Sequence, residues 1–213
     1  YLEQYGYSFD YLFVSRVYQA QCFDRLFRKY CRRAVYIFNT VDIHFVREEL
    51  EAQIFNSSLR LSNAMQTKRV ELLIASQADA TIVISRDEKK LLEETYGLKR
   101  IMHIPQARTV RGRSGTWEER KGAVFIGSAH LPNVDGLLYF YNEILPLLPA
   151  DFELTVIGEA LRDMVKLKEE CHALLECGQI KFAGFVSDLA DYLDHAKMTI
   201  APLRYGAGTK GKV

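Results

Sequence analysis

The chain lacks most of the features by which a protein declares itself. Its 213 residues hold no apolar run near the roughly 18 residues of a membrane-crossing helix. The opening stretch, YLEQYGYSFDYLFV, lacks the basic, apolar, small-residue order of a signal peptide. It also lacks an initiator Met, so the chain reads as a piece of a longer protein. Cys22, Cys31, Cys171 and Cys177 have no close pairing of the kind that zinc knuckles and redox motifs use. They read as buried free thiols of a reducing compartment, which makes the cytoplasm the expected location. His103, His130, His172 and His195 show no ligand spacing, and neither a metal nor another cofactor is expected. Neither sign of charge is in excess. The 28 Lys and Arg against 27 Asp and Glu leave a formal +1, which gives no general reason to expect nucleic acid or an anionic membrane as partner.

What is present is an alternation. The runs YLFV (11–14), VYIF (35–38), TIVI (81–84), IMHI (101–104), AVFI (123–126), LTVI (154–157), IKFA (180–183) and MTIA (198–201) are short, apolar and rich in β-branched residues. Uninterrupted apolar runs of this length suit strands buried on both faces of a parallel sheet. Between them lie helical patterns: Phe23, Leu26, Phe27, Tyr30 and Cys31 share one face, as do Leu137, Leu138, Tyr141, Ile144, Leu145 and Leu148. A long helical segment is expected over 47–78, with Glu48, Glu49 and Glu51 at its positive end. Strand and helix in regular succession make the fold class α/β, with doubly wound parallel sheets. Residues 105–122, PQARTVRGRSGTWEERKG, carry no apolar period and have the composition of a linker. Two Rossmann-like domains are therefore expected, 1–108 and 109–213, both incomplete in this chain.

Three places suit an anion or a proton. The terminal YGAGTKGKV resembles a Walker loop, but Val213 stands where that loop needs a hydroxyl for magnesium. It also follows the last strand instead of an early one, so a triphosphatase site does not fit. Glycines still let backbone N–H groups approach an anion, and Arg204, Lys210 and Lys212 are interleaved with them. After strand 123–126, Gly127 and Ser128 form a turn, and Pro132 and Asn133 open an amphipathic helix whose free N–H groups face the carboxyl edge of the sheet. GxGxxG is absent, so a dinucleotide fingerprint is not offered. Two such turns at one sheet edge suggest a diphosphate carrying a single nucleoside. In the first domain, Asp42, His44 and Arg47 follow strand 35–38, where an Asp or a His can orient or deprotonate a hydroxyl. A cap for Asp42 and simple packing for His44 are the structural alternatives.

Taken in order, AVFIGSAHLPNVDGLLYF, LTVIG, IKFAGFVSDLADYL and APLRYGAGTKGKV resemble the second domain of bacterial nucleotide-sugar glycosyltransferases of the two-Rossmann-domain type, glycosyl transferases group 1, family four. VYIFNTVDIHFVRE and ELLIASQADATIVISRDEKKLL resemble its first domain. The resemblance implies two domains facing across a cleft (the GT-B fold). It implies transfer of a sugar from a nucleoside-diphosphate sugar to a glycan or other hydroxyl acceptor, such as a surface polysaccharide, without a metal. On it, Gly127, Ser128, Asn133, Phe185, Val186, Gly206, Gly208, Thr209 and Lys210 match donor-binding positions, while Asp42 and His44 stand at the catalytic ones. Ala207 stands where the family usually has the first of two glutamates, and the second would fall past Val213. A hexosyltransferase-like enzyme, inactive in this portion alone, is the leading expectation. A nucleotide- or glycan-binding scaffold that keeps the fold without the chemistry is the alternative. Nucleic acid is not expected as a partner, and the reading leaves room for peripheral membrane association of the longer protein.

Overall fold

A computed structural model describes residues 1–107, 109, 112, 115–159 and 169–209. By its contacts the chain divides into two units, Tyr1–Arg108 with Tyr205–Thr209, and Thr109–Arg204 with Lys210–Val213. The glycine-rich Tyr205–Thr209 thus packs with the first unit, although it follows the second in sequence.

The first unit is a four-stranded parallel sheet in the order β1 (Tyr11–Ser15), β2 (Val35–Asn39), β3 (Ala80–Val83), β4 (Ile101–His103). Its helices are α1 (Leu2–Tyr5), α2 (Val17–Tyr30), α3 (His44–Ile54), α4 (Ser58–Gln77) and α5 (Arg86–Lys90), the last running on through a wider turn, Leu91–Thr95. Two buried clusters hold it. Val14, Val17, Ala20, Tyr36, Phe38, Ile74 and Ala78 form one, and Ile43, Phe45, Val83, Leu92 and Ile101 the other. Apolar side chains are thus buried in separate layers, as a doubly wound sheet requires.

The single helix expected over 47–78 is two. The first ends at Ile54; Asn56 then takes a left-handed conformation (φ 44°), and Ser57 caps α4 by accepting the Arg60 N–H at 3.3 Å. Asn tolerates that conformation, and a Ser cap makes restarting cheap. Helix α3 begins at His44, so Glu48, Glu49 and Glu51 lie beyond its first turn and do not meet the helix dipole. They reach sideways instead: Glu48 accepts the Tyr18 hydroxyl, Glu49 pairs with Lys68 at 3.0 Å, and Glu51 pairs with Arg60.

The second unit is also wholly parallel, in the order β7 (Ile180–Gly184), β6 (Leu154–Ile157), β5 (Lys121–Ile126), β8 (Ala196–Thr199). Helices α6 (Leu131–Tyr139), α7 (Glu169–Glu176) and α8 (Ala190–His195) accompany it. Ala123, Phe125, Val134, Leu137, Leu154, Val156, Leu174 and Ile180 make the larger core, and Val124, Ile157 and Ala196 a smaller one. The last strand lies two residues earlier than the apolar run 198–201 suggested, because Lys121 and Ala123 of β5 pair with Ala196 and Met198. Of the thiols, Cys31 is buried, Cys177 half-buried and Cys22 exposed, so burial holds for only part of the set.

Three glycines close the carboxyl ends of neighbouring strands in this sheet. The Gly127 N–H donates to Ile157 O at 2.9 Å, and the Gly158 N–H to Gly184 O at 2.6 Å. Gly158 sits at φ 97°, and a Cβ there would fall 2.2 Å from Gly127 O, well inside contact distance. Gly158→Ala is therefore expected to destabilise the protein by about 3 kcal/mol through backbone strain and forced separation of the two turns. Urea denaturation checks this; a midpoint equal to that of the parent chain would contradict it.

Candidate functional site

At the carboxyl ends of β2 and β3 the first unit gathers its polar chemistry. Thr40 anchors the turn after β2 by donating both N–H and Oγ1–H to Ile82 O, each at 3.1 Å. Val41 then takes φ 66°, a conformation that β-branched residues avoid, and its N–H donates to Asn39 Oδ1 at 3.3 Å. This reversal starts α3. A helix start leaves N–H groups without intrahelical partners and carries partial positive charge. Here buried carboxylates receive them. Glu71 of α4 accepts the His44 N–H at 3.2 Å on Oε1 and the Phe45 N–H at 3.1 Å on Oε2, while Glu88 of α5 accepts the Ile43 N–H at 3.0 Å.

Asp42 and His44 are brought together at this point. The His44 ring is buried, with Nδ1 3.0 Å from Asp42 O; a carbonyl can only accept, so Nδ1 carries a hydrogen. Nδ1 also lies 3.5 Å from Glu71 Oε1 and 3.8 Å from Asp42 Oδ1. The Tyr18 ring meets the imidazole edge-on at 5.4 Å between centroids. The Asp42 carboxylate is engaged by the Arg47 guanidinium, one turn further along α3. Asp42 does not cap the helix, since Ile43 occupies that position and no side chain caps it.

Glu88 is the least satisfied group of the cluster. Its Oε2 is buried without a hydrogen-bond partner. Burial pushes its carboxyl above the ordinary 4.5; the Ile43 N–H opposes this, the Asp42 charge adds to it, and the nearby Gly208 and Ser85 amides pull it back down.

The glycine-rich Tyr205–Thr209 meets this cluster. Gly208 has φ 70°, and a Cβ there would lie 3.2 Å from Ile84 Cδ1 and 3.3 Å from Asp42 Cβ. Thr209 Oγ1 donates to Ile84 O at 3.2 Å. Tyr205 is buried, its ring edge-on to Phe55 at 6.1 Å. Candidate donor-binding Gly208 therefore lies beside candidate catalytic Asp42, Thr209 is held at Ile84, and Gly206 belongs to the same segment. Lys210 falls outside the described residues.

In the second unit, Gly127 is buried and Ser128 exposed in the turn after β5. Asn133 holds that turn: its Nδ2–H donates to Ser128 O at 2.8 Å, and the His130 N–H donates to the same carbonyl at 2.7 Å. Asn133 is buried in the first turn of α6, which His130 begins and Pro132 supports. Phe185, after β7, exposes 81% of its surface, while Val186 packs onto the small core. Arg204, counted from the sequence among the cations of the phosphate loop, is committed elsewhere. Its guanidinium clasps Asp135 of α6, with Nε–Oδ2 at 2.9 Å, and lies over the Tyr139 ring at 5.5 Å.

Glu71 and Glu88 were not anticipated. The signal for Glu71 was available: a lone carboxylate in VELLIASQA, on a helix with Ile74 and Ala75, has to be buried and so has to find donors. SRDEKK offers no such signal for Glu88, which sits among other charges. Among the described residues no group of three or more His, Cys, Asp and Glu side chains is arranged to hold a metal ion. None of the described helices is long and apolar enough to cross a membrane.

Residues 120–213 match the model of a family described as Glycosyl transferases group 1, which bears out the resemblance over the second unit. Among solved structures, sucrose-phosphate synthase from Thermosynechococcus elongatus superposes with a TM-score of 0.64 at 14% identity, covering 96% of this chain and 53% of that one. HepE of Anabaena, crystallised with UDP and glucose, gives 0.64 at 14% over 93% and 54%. TarM gives 0.59 at 11% over 93% and 37%. At these identities the likeness is one of fold, and the chain spans about half of the first two. No curated protein sequence matches it.

Two measurements probe the cluster. Glu71→Ala removes the acceptor of two helix-start N–H groups and is expected to cost about 3 kcal/mol with an unchanged urea slope, Glu71→Gln about half as much. Glu88 sets a pH dependence. A carboxyl whose folded pKa is raised adds stability that is fully present below its unfolded value near 4.5 and is lost as pH rises through the folded value. The stability of the parent chain relative to Glu88→Gln should therefore fall between pH 4.5 and neutrality. A difference that stays flat or rises over that range would contradict the burial of this carboxyl.

Proposed function

We propose that this chain serves the transfer of a sugar from a nucleoside-diphosphate sugar to a hydroxyl acceptor on a glycan. One observation carries the reading: the segment that matches the group 1 glycosyltransferases, 120–213, contains the glycine loop whose Gly208 lies against Asp42. The HepE structure with UDP and glucose supports a nucleoside diphosphate as the leaving group. In the reaction the bond between the anomeric carbon and the diphosphate oxygen breaks, and the diphosphate leaves with the electron pair. The acceptor oxygen forms the new bond and passes its proton to the Asp42 carboxylate.

Each unit has a part in this. In the second, the Gly127–Ser128 turn and the start of α6 offer amide N–H groups to the diphosphate, and Asn133 keeps that turn in shape by holding Ser128 O. Phe185, largely exposed beside Val186, offers a ring face to the base. The first unit's glycine segment, Gly206, Gly208 and Thr209, is suited by its backbone to an anion, and Lys210 follows it in sequence as a candidate cation. Asp42 accepts the hydrogen bond of the acceptor hydroxyl. His44, buried and donating to Asp42 O, positions Asp42 and stays clear of the substrate.

A second reading, a binding module without turnover, is favoured by the engagement of Asp42 with Arg47 and by Ala207 in place of a carboxylate. Thermal denaturation with nucleotide tests the donor site first. Millimolar UDP or GDP is expected to raise the melting temperature by about 5 °C if the ligand is near 100 times its Kd. Asp42→Asn should keep that shift and reduce transfer to a glycan at least 100-fold. No shift with either nucleotide would remove the donor reading, and a shift without transfer would leave the binding module.

A further inference from the structure

One carboxyl group of the first unit lies where the glycine segment docks and is left half served. Glu88 exposes 7% of its surface; Oε1 accepts the Ile43 N–H at 3.0 Å, and Oε2 is buried without a hydrogen-bond partner. We propose that Glu88 is a proton-operated latch for Tyr205–Thr209: the segment docks on the Asp42 turn while the carboxyl holds a proton, and lifts when the carboxyl is ionised.

An ionised carboxylate offers about four lone-pair sites that call for donors or water. Burial takes water from Oε2 without supplying a donor, a cost that a neutral carboxyl largely escapes. The docked segment is part of that enclosure. A Cβ on Gly208 would lie 3.3 Å from Asp42 Cβ and 3.5 Å from Val41 O, a spacing that excludes water at this point. The displacement of the carboxyl has the matching sign: burial raises it above 4.5 by more than the Ile43, Gly208 and Ser85 amides lower it. A conformation that holds an acid above its ordinary value is favoured by the proton and disfavoured by its loss.

The other charges around Glu88 are accounted for. On the turn before α3 stands Asp42, engaged by Arg47, with the buried His44 ring beside it. Glu71 of α4 accepts the two N–H groups that follow Ile43. Arg86 and Asp87 of α5 are exposed, and Tyr205–Thr209 contains no Asp, Glu, Lys, Arg or His. The segment's contacts from Thr209 to Ile84 O and from Tyr205 to Phe55 join neutral groups. In the docked form the Gly208 amide lies by the Glu88 carboxyl, so a diphosphate that uses this amide competes with docking. That consequence rests on the transferase reading, whereas the latch does not.

Nuclear magnetic resonance on the 213-residue chain tests the latch. Cross-relaxation between the Gly208 α-hydrogens and the Ile84 δ-methyl reports docking, since a Cβ on Gly208 would lie 3.2 Å from that carbon. From about pH 5 to about pH 8 this signal should weaken at least roughly threefold in the parent chain and stay constant in Glu88→Gln. Asp42, His44 and Arg47 remain in the variant, so a pH effect that they drive would persist there and overturn the latch. A parent signal that is flat or strengthens with pH overturns it too. In the parent chain alone, the Glu88 carboxyl carbon and the docking signal should share one midpoint, and separate midpoints count against the latch even if the variant fails to fold. UDP titrated at both pH values keeps the readings apart. Tighter binding at the higher pH in the parent, absent from Glu88→Gln, supports the competition, and equal binding in the parent despite a lifted segment overturns it. No binding of UDP, with the docking signal behaving as stated, removes the donor reading and upholds the latch.

Discussion

The first unit depends on how two buried carboxylates take up the free amide hydrogens at the start of α3. Glu71 and Glu88 come from different helices, α4 and α5, and converge on three successive N–H groups, Ile43, His44 and Phe45. An acid placed there is favoured by the helix field and by each bond it accepts, which offsets part of the cost of removing it from water. The arrangement does more than end a helix. It pins the turn that presents Asp42, and it surrounds the His44 ring so that the imidazole faces Asp42 O on one side and Tyr18 on another. Replacing either acid with an apolar side chain would leave the helix start without its partners, and the turn would lose its reference point.

The second unit solves a similar problem without charge. Three of its four strands, β5, β6 and β7, end in or run into glycine, so backbone replaces side chain along much of the carboxyl edge, and the turns after β5 and β6 come within hydrogen-bonding distance of neighbouring strands. Asn133 then converts a flexible turn into a defined one by holding Ser128 O. Arg204 and Asp135 fasten the segment after β8 to α6, and Gly136 lets that segment approach, since a Cβ there would meet Pro202 O at 3.0 Å. A salt bridge this close to a helix surface serves geometry more than stability, because only Asp135 is well shielded from solvent.

Strands and their order of appearance were plain in the sequence, because buried parallel strands leave compact apolar runs such as LTVI, matched residue for residue at Leu154–Ile157. Breaks inside polar helical stretches were not. Nothing in the apolar pattern of 47–78 marks Asn56 as a left-handed residue, and three glutamates that suggested a helix start turned out to bridge to Tyr18, Lys68 and Arg60. The grouping of Asp42 with His44 was legible, since two residues on one turn travel together. The neighbour of Asp42 from 166 positions away, Gly208, was not, because local pattern carries no information about which distant loop will pack on a turn. Arg204 misled for the same reason: a cation beside glycines reads as a ligand for phosphate until its partner, 69 residues earlier, is seen.

Val41 holds a backbone conformation that its branched side chain resists, between a strand end and Asp42. Such a residue behaves like a drawn spring, costing on the order of 1–3 kcal/mol that neighbouring anchors must withstand. Substituting Gly at this position would slacken the spring and could make the fold sturdier while letting Asp42 drift. Robustness and aim are thus set against each other at a single dihedral angle, and a variant chosen only for heat resistance would tend to sacrifice the second for the first.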